Sequence, residues 1–449
     1  MIVSFSVSNF RSFSGEETLS LVASHRLSGS HDDHAIPIPD CKEAVLRTAV
    51  LYGANGAGKS NLFKALRYLK SVALWRRKKK GWTRREPFRF GGPPDLPSSF
   101  DLQFIAVDRL YRFGFKLDDE RIIEEWLFQV VGNRQKLLYE RTTNNNGEVT
   151  INAEGLKGQG DKLTALATVG GPRSQSFLAT ANVTLNAGDL GADLARVVTW
   201  LKEGLNLIGP DEPIEPLGHL LDQDFEFLSF AGAFLKSAST GVDHLEVLKE
   251  ELSKDDPRVL LRDAVFRGLT DGTARLTMGD SELLLERKDV DRMYQISVQA
   301  AHEHEPGKVV RLGLAEESDG TQRLLNLISA LHRLRTTGSV YVIDEIDRSL
   351  HPILVREFLQ FFLKSRGCGT GQIIVTTHES NLLDQDLLRR DEIWFAEKDR
   401  SGATRLYSLL DFKVRNDLEI RKHYLQGRFG AVPFLGNLEN LRADPDRPE

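Results

Sequence analysis

The 449-residue chain predicts an α/β fold: a mixed or parallel sheet with helices, an antiparallel N-terminal lobe, and a mainly helical insertion. Three observations carry this. Short continuous apolar runs (Ala49-Val50-Leu51, Val340-Tyr341-Val342-Ile343 and Ile373-Ile374-Val375) have the length and composition of strands covered on both faces. Helical apolar spacing recurs beside them, at Leu62, Leu66, Leu69 and Ala73, at Leu324, Leu327, Ile328, Leu331 and Leu334, and at Leu354, Phe358, Phe361 and Phe362. Strands alternating with helices require crossovers and hence a largely parallel core sheet.

The elements follow in order. Ile2 to Phe10 alternates apolar and polar residues, as in a half-buried opening strand. A turn-rich stretch, 28–39, leads to the apolar run at 49–51, a glycine-rich loop and the first helix. Two runs, Phe100–Val107 and Leu110–Phe115, joined by Asp108-Arg109, predict a hairpin. From about 130 to 300 the pattern is less regular, with helical spacing near Ala192–Leu207 and His244–Leu252 and no sustained heptad. Regularity returns near 309. The expected organisation is 1–125 as the first half of the α/β core, 126–305 as an insertion or interaction region, 306–412 as the second half of that core, and 413–449 as a tail.

Composition narrows the class. Apolar residues make up 41% and charged residues 27%, ordinary for a folded globular chain. A net charge of −5 argues against a nucleic-acid-coating protein but leaves room for a local basic patch. The two cysteines, Cys41 and Cys368, lack metal-ligand spacing and suit a reducing compartment. The first residues do not read as a signal peptide, and no apolar stretch approaches the ~20 residues of a membrane span. A cytoplasmic location without membrane attachment is the expectation.

Gly53-Ala54-Asn55-Gly56-Ala57-Gly58-Lys59-Ser60 carries the strongest chemistry. Its glycines let backbone N–H groups converge on a phosphate, Lys59 reaches the β/γ oxygens, and the Ser60 hydroxyl serves Mg²⁺. The expected nucleotide contacts are Gly53, Asn55, Gly56, Gly58, Lys59, Ser60 and Asn61. The run at 340–343 ends in Asp344-Glu345, two carboxylates at the carboxyl end of a buried strand, where α/β sheets place ligands. Asp344, with Ser60, would hold Mg²⁺, and Glu345 would polarise the attacking water as general base. Thr376-Thr377-His378 follows the next apolar strand, so His378 can sense a terminal phosphate. Ser318-Asp319-Gly320 opens the helix at 324–334, offering a hydroxyl, N–H groups and the positive end of a helix dipole. Lys59 and Ser60 already serve one set of phosphates, so Ser318 and Gly320 are expected to act on the nucleotide of a second subunit.

These four motifs, in this order, resemble the ATP-binding cassette head of the branch that includes RecF, the SMC proteins and the OLD-family ATPases. Asn9-Phe10-Arg11-Ser12-Phe13 is similar to the opening of that branch, and this likeness places Arg11 near the nucleotide. More narrowly, Glu317–Gln322, Ile343–Asp347, Ser349-Leu350-His351-Pro352 and the tail Tyr424–Pro433 resemble bacterial AAA-family ATP-binding proteins of the RloA and AbiL type. The resemblance covers about 1–120 and 305–435. It implies ATP and Mg²⁺ as cofactors, ATP hydrolysis, an ATP-dependent homodimer or higher oligomer, and a separately encoded effector in anti-phage defence. A RecF-like DNA clamp is the alternative. His351 stands where transporter cassettes have aspartate, and no glutamine, Gln103 included, clearly serves as the metal-linking glutamine. The basic run Arg76, Arg77, Lys78, Lys79, Lys80, Arg84 and Arg85, edged by Trp75 and Trp82, fits a nucleic-acid contact, a solvated loop or the dock of an acidic partner.

Overall fold

The computed structural model describes residues 1–75, 82–91, 96–132, 134–211, 217–253, 255–261, 272–278, 281–287, 292–364, 370–413 and 418–432. Two compact units divide the chain. The first comprises Met1–Leu207, Gly338–Ile346 and Thr370–Glu449; the second comprises Ile208–Thr337 and Asp347–Gly369.

The first unit holds two principal sheets. Strands β1 (Ile2–Ser8), β2 (Glu17–Ser20), β6 (Ser98–Ala106), β7 (Arg109–Leu117), β8 (Ile122–Val131), β9 (Arg134–Thr143) and β10 (Val149–Asn152) form a seven-stranded antiparallel sheet in the order β10-β9-β8-β7-β6-β1-β2. The short strands β3 (Ala35–Pro37) and β4 (Ala44–Leu46) pair separately. The expected hairpin is present as β6–β7, turning at Val107-Asp108. Alternation along β1 buries Phe5 and Val7, which pack with Phe100, Phe104, Phe113 and Phe115 in one core.

The second sheet builds the site. Strands β5 (Thr48–Tyr52), β11 (Leu205–Ile208), β17 (Val340–Ile343), β18 (Gln372–Thr376), β19 (Ile393–Lys398) and β20 (Thr404–Ser408) run in the order β11-β17-β18-β5-β19-β20. Pairings β17–β18, β18–β5 and β5–β19 are parallel, and β20 closes the edge antiparallel to β19. Every residue of β5, β17 and β18 is buried, as their uninterrupted apolar sequences require. Gln372 is the largest polar exception, beside Thr48 and Thr376: its amide accepts from Ile2 N and donates to Ile2 O and Leu46 O, so it joins the edges of two elements at no unpaired cost. Helix α1 (Lys59–Leu74) buries Leu62, Phe63, Leu66, Leu69, Val72 and Ala73.

The insertion is not mainly helical as expected, and the first unit runs past 125 to Leu207. Strands β8 to β10 extend the antiparallel lobe, followed by helices α2 (Asp161–Val169), α3 (Phe177–Thr184) and α4 (Ala192–Thr199). Glu125, wholly buried in β8, accepts from Phe177 N, Leu178 N and the Tyr139 hydroxyl, capping α3. Burial raises its pKa, although Arg141 opposes the shift.

In the second unit, α5 (Leu217–Gln223) and α6 (Phe225–Ser237) precede β12 (His244–Glu251), β13 (Gly272–Met278), β14 (Ser281–Arg287), β15 (Arg292–Glu305) and β16 (Lys308–Gly313). These strands form one antiparallel sheet in the order β12-β15-β14-β13, with β16 also pairing β15. The helix expected at His244–Leu252 is therefore strand β12. Leu245 and Val247 lie opposite Ala300 and Val298, and this period-two pairing overrides the helical spacing of Leu245, Leu248 and Leu252. Helix α7 (Asp319–Thr336) forms where the leucine stripe predicts it and buries Leu324, Leu327, Ile328, Leu331 and Leu334. Helix α8 (Pro352–Lys364) follows. Helix α9 (Ile420–Leu425) belongs to the first unit.

Candidate nucleotide site

Residues 53–58 leave the carboxyl end of β5 and turn into α1, so the loop lies at the rim where β17 and β18 also end. Gly53, Gly56 and Gly58 have φ of +158°, +77° and +111°. At Gly58 the constraint is severe: a Cβ would lie 2.1 Å from Thr404 Oγ1 and 2.9 Å from Ser12 Oγ. Only glycine fits there.

Lys59 is 5% exposed, and its ammonium donates to Gly53 O at 2.7 Å and Ala54 O at 3.3 Å. It also donates to His378 Nε2 at 3.1 Å. Ser60 Oγ lies 3.2 Å from Asp344 Oδ1. Asp344, 2% exposed at the end of β17, accepts a 2.6 Å bond from Thr376 Oγ1 on β18. The same Thr376 oxygen accepts from Glu345 N at 2.8 Å. That bond holds Glu345 at φ +52°, a left-handed conformation uncommon outside glycine. Thr376, absent from the expected site residues, thus fixes the Asp344 carboxylate and the backbone of Glu345. Its only sequence signal was its place one step before Thr377-His378.

A hydroxyl beside one carboxylate is a hard-oxygen pair of the kind Mg²⁺ uses when substrate phosphates and water complete its shell. Ser60 and Asp344 fit that ion, and backbone N–H groups with Lys59 fit a polyphosphate. A cleft of about 670 Å³ opens beside Gly53–Ala57, with His378, Ser380, Glu397, Tyr424 and Val432 among its walls.

The remaining predicted residues fall in several places. Arg11, at φ +51°, pairs through Nη2 with Glu86 Oε1 at 2.7 Å, and its neighbour Ser12 reaches the loop network. The Asn61 amide donates to Ser12 Oγ at 2.8 Å, turned towards the antiparallel lobe. Asn55 and Gly56 line the cleft. Gln103 is a mid-strand residue of β6, between Ser4 and Arg112.

Ser318 and Gly320 belong to the second unit. The Ser318 hydroxyl caps α7, accepting from Thr321 N at 3.1 Å, and a Cβ on Gly320 would lie 2.8 Å from Ser349 O. The first turn of α7 therefore packs against the Ser349–His351 turn, where Ser349 has φ +59°.

Of the basic run, Arg76, Arg77, Lys78, Lys79 and Lys80 lie outside the described residues. Arg84 is exposed. Arg85 does not present a surface charge: it is 8% exposed, with Nε on Asp119 Oδ1 at 2.7 Å and Nη1 on Leu96 O at 2.5 Å. An available carboxylate and carbonyl draw it inward.

A glycine loop entering a helix, a buried lysine, and an aspartate reaching the loop's serine define a P-loop nucleoside-triphosphate-binding protein. The chain belongs to the family described as "AAA domain, putative AbiEii toxin, Type IV TA system", whose profile matches residues 49–384. No curated protein matches it significantly. Among solved structures it is similar to "Crystal structure of the SmcHead bound to the C-winged helix domain of ScpA", at 13% identity and a TM-score of 0.40, covering 91% of this chain and 97% of that one. It is also similar to "SMC head domain from Thermotoga maritima", at 13% identity and a TM-score of 0.33, covering 91% and 98%. Among the described residues no helix is long and apolar enough to cross a membrane.

Proposed function

We propose that the protein is a Mg²⁺-dependent ATPase that works as a nucleotide-dependent dimerising switch. The observation that carries this reading is the convergence of Lys59, Ser60, Asp344, Thr376 and His378 where β5, β17 and β18 end side by side. Lys59, held on Gly53 O and Ala54 O, would turn to the phosphates of bound ATP, and Ser60 and Asp344 would hold a Mg²⁺ ion that would supply charge neutralisation. Glu345 accepts the proton of the attacking water, and His378 reports the terminal phosphate. Ser318 and Gly320 of a second copy complete the site, so ATP favours the closed dimer through its differential affinity. A separately encoded effector reads that state. The family description, with its toxin and type IV system, supports a role in defence.

The test is the solution mass of Glu345→Gln by light scattering, with and without Mg-ATP. Doubling with ATP is the expected result, and a mass unmoved by saturating ATP would refute the dimerising switch. A DNA clamp is the second reading, favoured by Trp75 and Trp82, each more than 60% exposed, and by exposed Arg84. It requires DNA-stimulated hydrolysis, and Arg85 takes no direct part in it.

A further inference from the structure

Behind the phosphate loop a chain of hydroxyls has no place in the motifs above. Thr404 Oγ1, at the start of β20, lies 2.8 Å from Ala57 O and 2.7 Å from Ser12 Oγ, which lies 2.8 Å from Asn61 Nδ2. A hydroxyl has one proton to give, and Ala57 O can only accept. Asn61 N–H donates to Ser12 Oγ, and the Thr404 hydroxyl is placed to donate to Ser12 Oγ and to Ala57 C=O. Thr404 is 1% exposed and Ser12 6% exposed, so water does not substitute for either link.

Both residues stand on fixed ground. The turn before Thr404 is tied by Asp399, whose Oδ1 accepts from Ser401 N, Ser401 Oγ and Ala403 N. After it, Glu17 accepts from Arg405 Nη1 and Leu406 N. Ser12 sits in a closed turn in which Phe10 and Phe13 exchange backbone bonds, and its carbonyl accepts from Thr404 N at 2.7 Å. In a trans peptide the carbonyl and the following N–H point in opposite directions. Anchoring Ala57 O towards β20 thus turns Gly58 N–H away from it, into the open side of the loop.

We propose that Thr404 and Ser12 are positioning residues for nucleotide binding: their relay holds the Ala57–Gly58 peptide so that Gly58 N–H faces the phosphates. The inference rests on the nucleotide reading of residues 53–60. Without the relay the peptide is free to flip, presenting a carbonyl to an anion. The effect falls on a contact made equally in ground and transition states, so it appears in KM and not in kcat.

The experiment compares Mg-ATP binding by calorimetry and steady-state hydrolysis in the full chain, Thr404→Val, Thr404→Ser, Ser12→Ala and Lys59→Ala. The expected result for Thr404→Val is Kd and KM raised about tenfold with kcat within twofold, the size of one lost buried hydrogen bond. Thr404→Ser restores both, and Ser12→Ala shifts KM in the same direction. A merely structural role would lower the melting temperature and active fraction without moving KM. Thr404→Val with wild-type KM overturns the inference and leaves the nucleotide reading standing. If Thr404→Val does not fold, Ser12→Ala decides, and an unchanged KM there overturns it equally. Wild-type protein that binds no Mg-ATP overturns both.

Discussion

Gly58→Ala tests the loop where its space is smallest. The new Cβ would sit 2.1 Å from Thr404 Oγ1 and 2.9 Å from both Thr404 Cγ2 and Ser12 Oγ, in a backbone held at φ +111°. The left-handed conformation alone costs about 1–2 kcal/mol. Relieving the contact moves Thr404 off Ala57 O and leaves a buried carbonyl unpaired, about 1–3 kcal/mol more. The sum is about 2–5 kcal/mol without nucleotide. Gly56→Ala is the internal control, because Gly56 has φ +77° but nothing within 4 Å of its Cβ. It meets the conformational term alone, about 1–2 kcal/mol. Thermal melts of both variants without ligand, beside wild type, are the assay, with calorimetric titration of Mg-ATP as a second readout. Gly58→Ala should melt clearly lower than Gly56→Ala and bind nucleotide over a hundredfold more weakly than wild type. Equal melting temperatures for the two variants would refute the packing argument.

Lys59→Ala should abolish Mg-ATP binding while keeping the fold, checked by calorimetry and circular dichroism. Ser318→Arg should leave ATP binding within about twofold and abolish ATP-dependent dimerisation in the Glu345→Gln background, read by light scattering. Lys70, donating to Lys202 O and Leu205 O, has its ammonium lowered by burial from 10.5 to about 8. The unfolded chain therefore holds one more proton than the native one between those values, and native stability from this group rises with pH across that window. The melting-temperature difference, wild type minus Lys70→Met, should be flat below about pH 8 and climb towards pH 10.5.

The parts of this fold that were legible in the sequence share local periodicity. The strands at 49–51, 340–343 and 373–375, the β6–β7 hairpin and α7 each declare themselves within one window, and the glycine loop is specific by itself. His244–Glu251 misleads because leucines three and four apart mimic a helix, while its partner strand lies some fifty residues on. The extent of the antiparallel lobe was hidden for a different reason. Glu125 and Arg141 look like surface residues until Tyr139 and the start of α3 enclose them. Arg85 reads as part of a basic run because charge is local in sequence, whereas its acceptors, Asp119 and Leu96, are not. Thr376, Ser12 and Thr404 belong to the same class. A hydroxyl whose meaning lies in a distant partner leaves no spacing to read.

The position of β5 bears on how the protein is made. The strand that launches the phosphate loop is complete by residue 52, yet its two neighbours, β18 and β19, begin at 372 and 393. A chain emerging from the ribosome holds the whole glycine motif long before either flank exists, with both hydrogen-bonding edges of β5 open. Pairings of such sequence separation close late and slowly. Nucleotide competence therefore waits until β19 has been made, more than 300 residues after the motif, and any fragment ending before β19 carries the motif without its completed sheet.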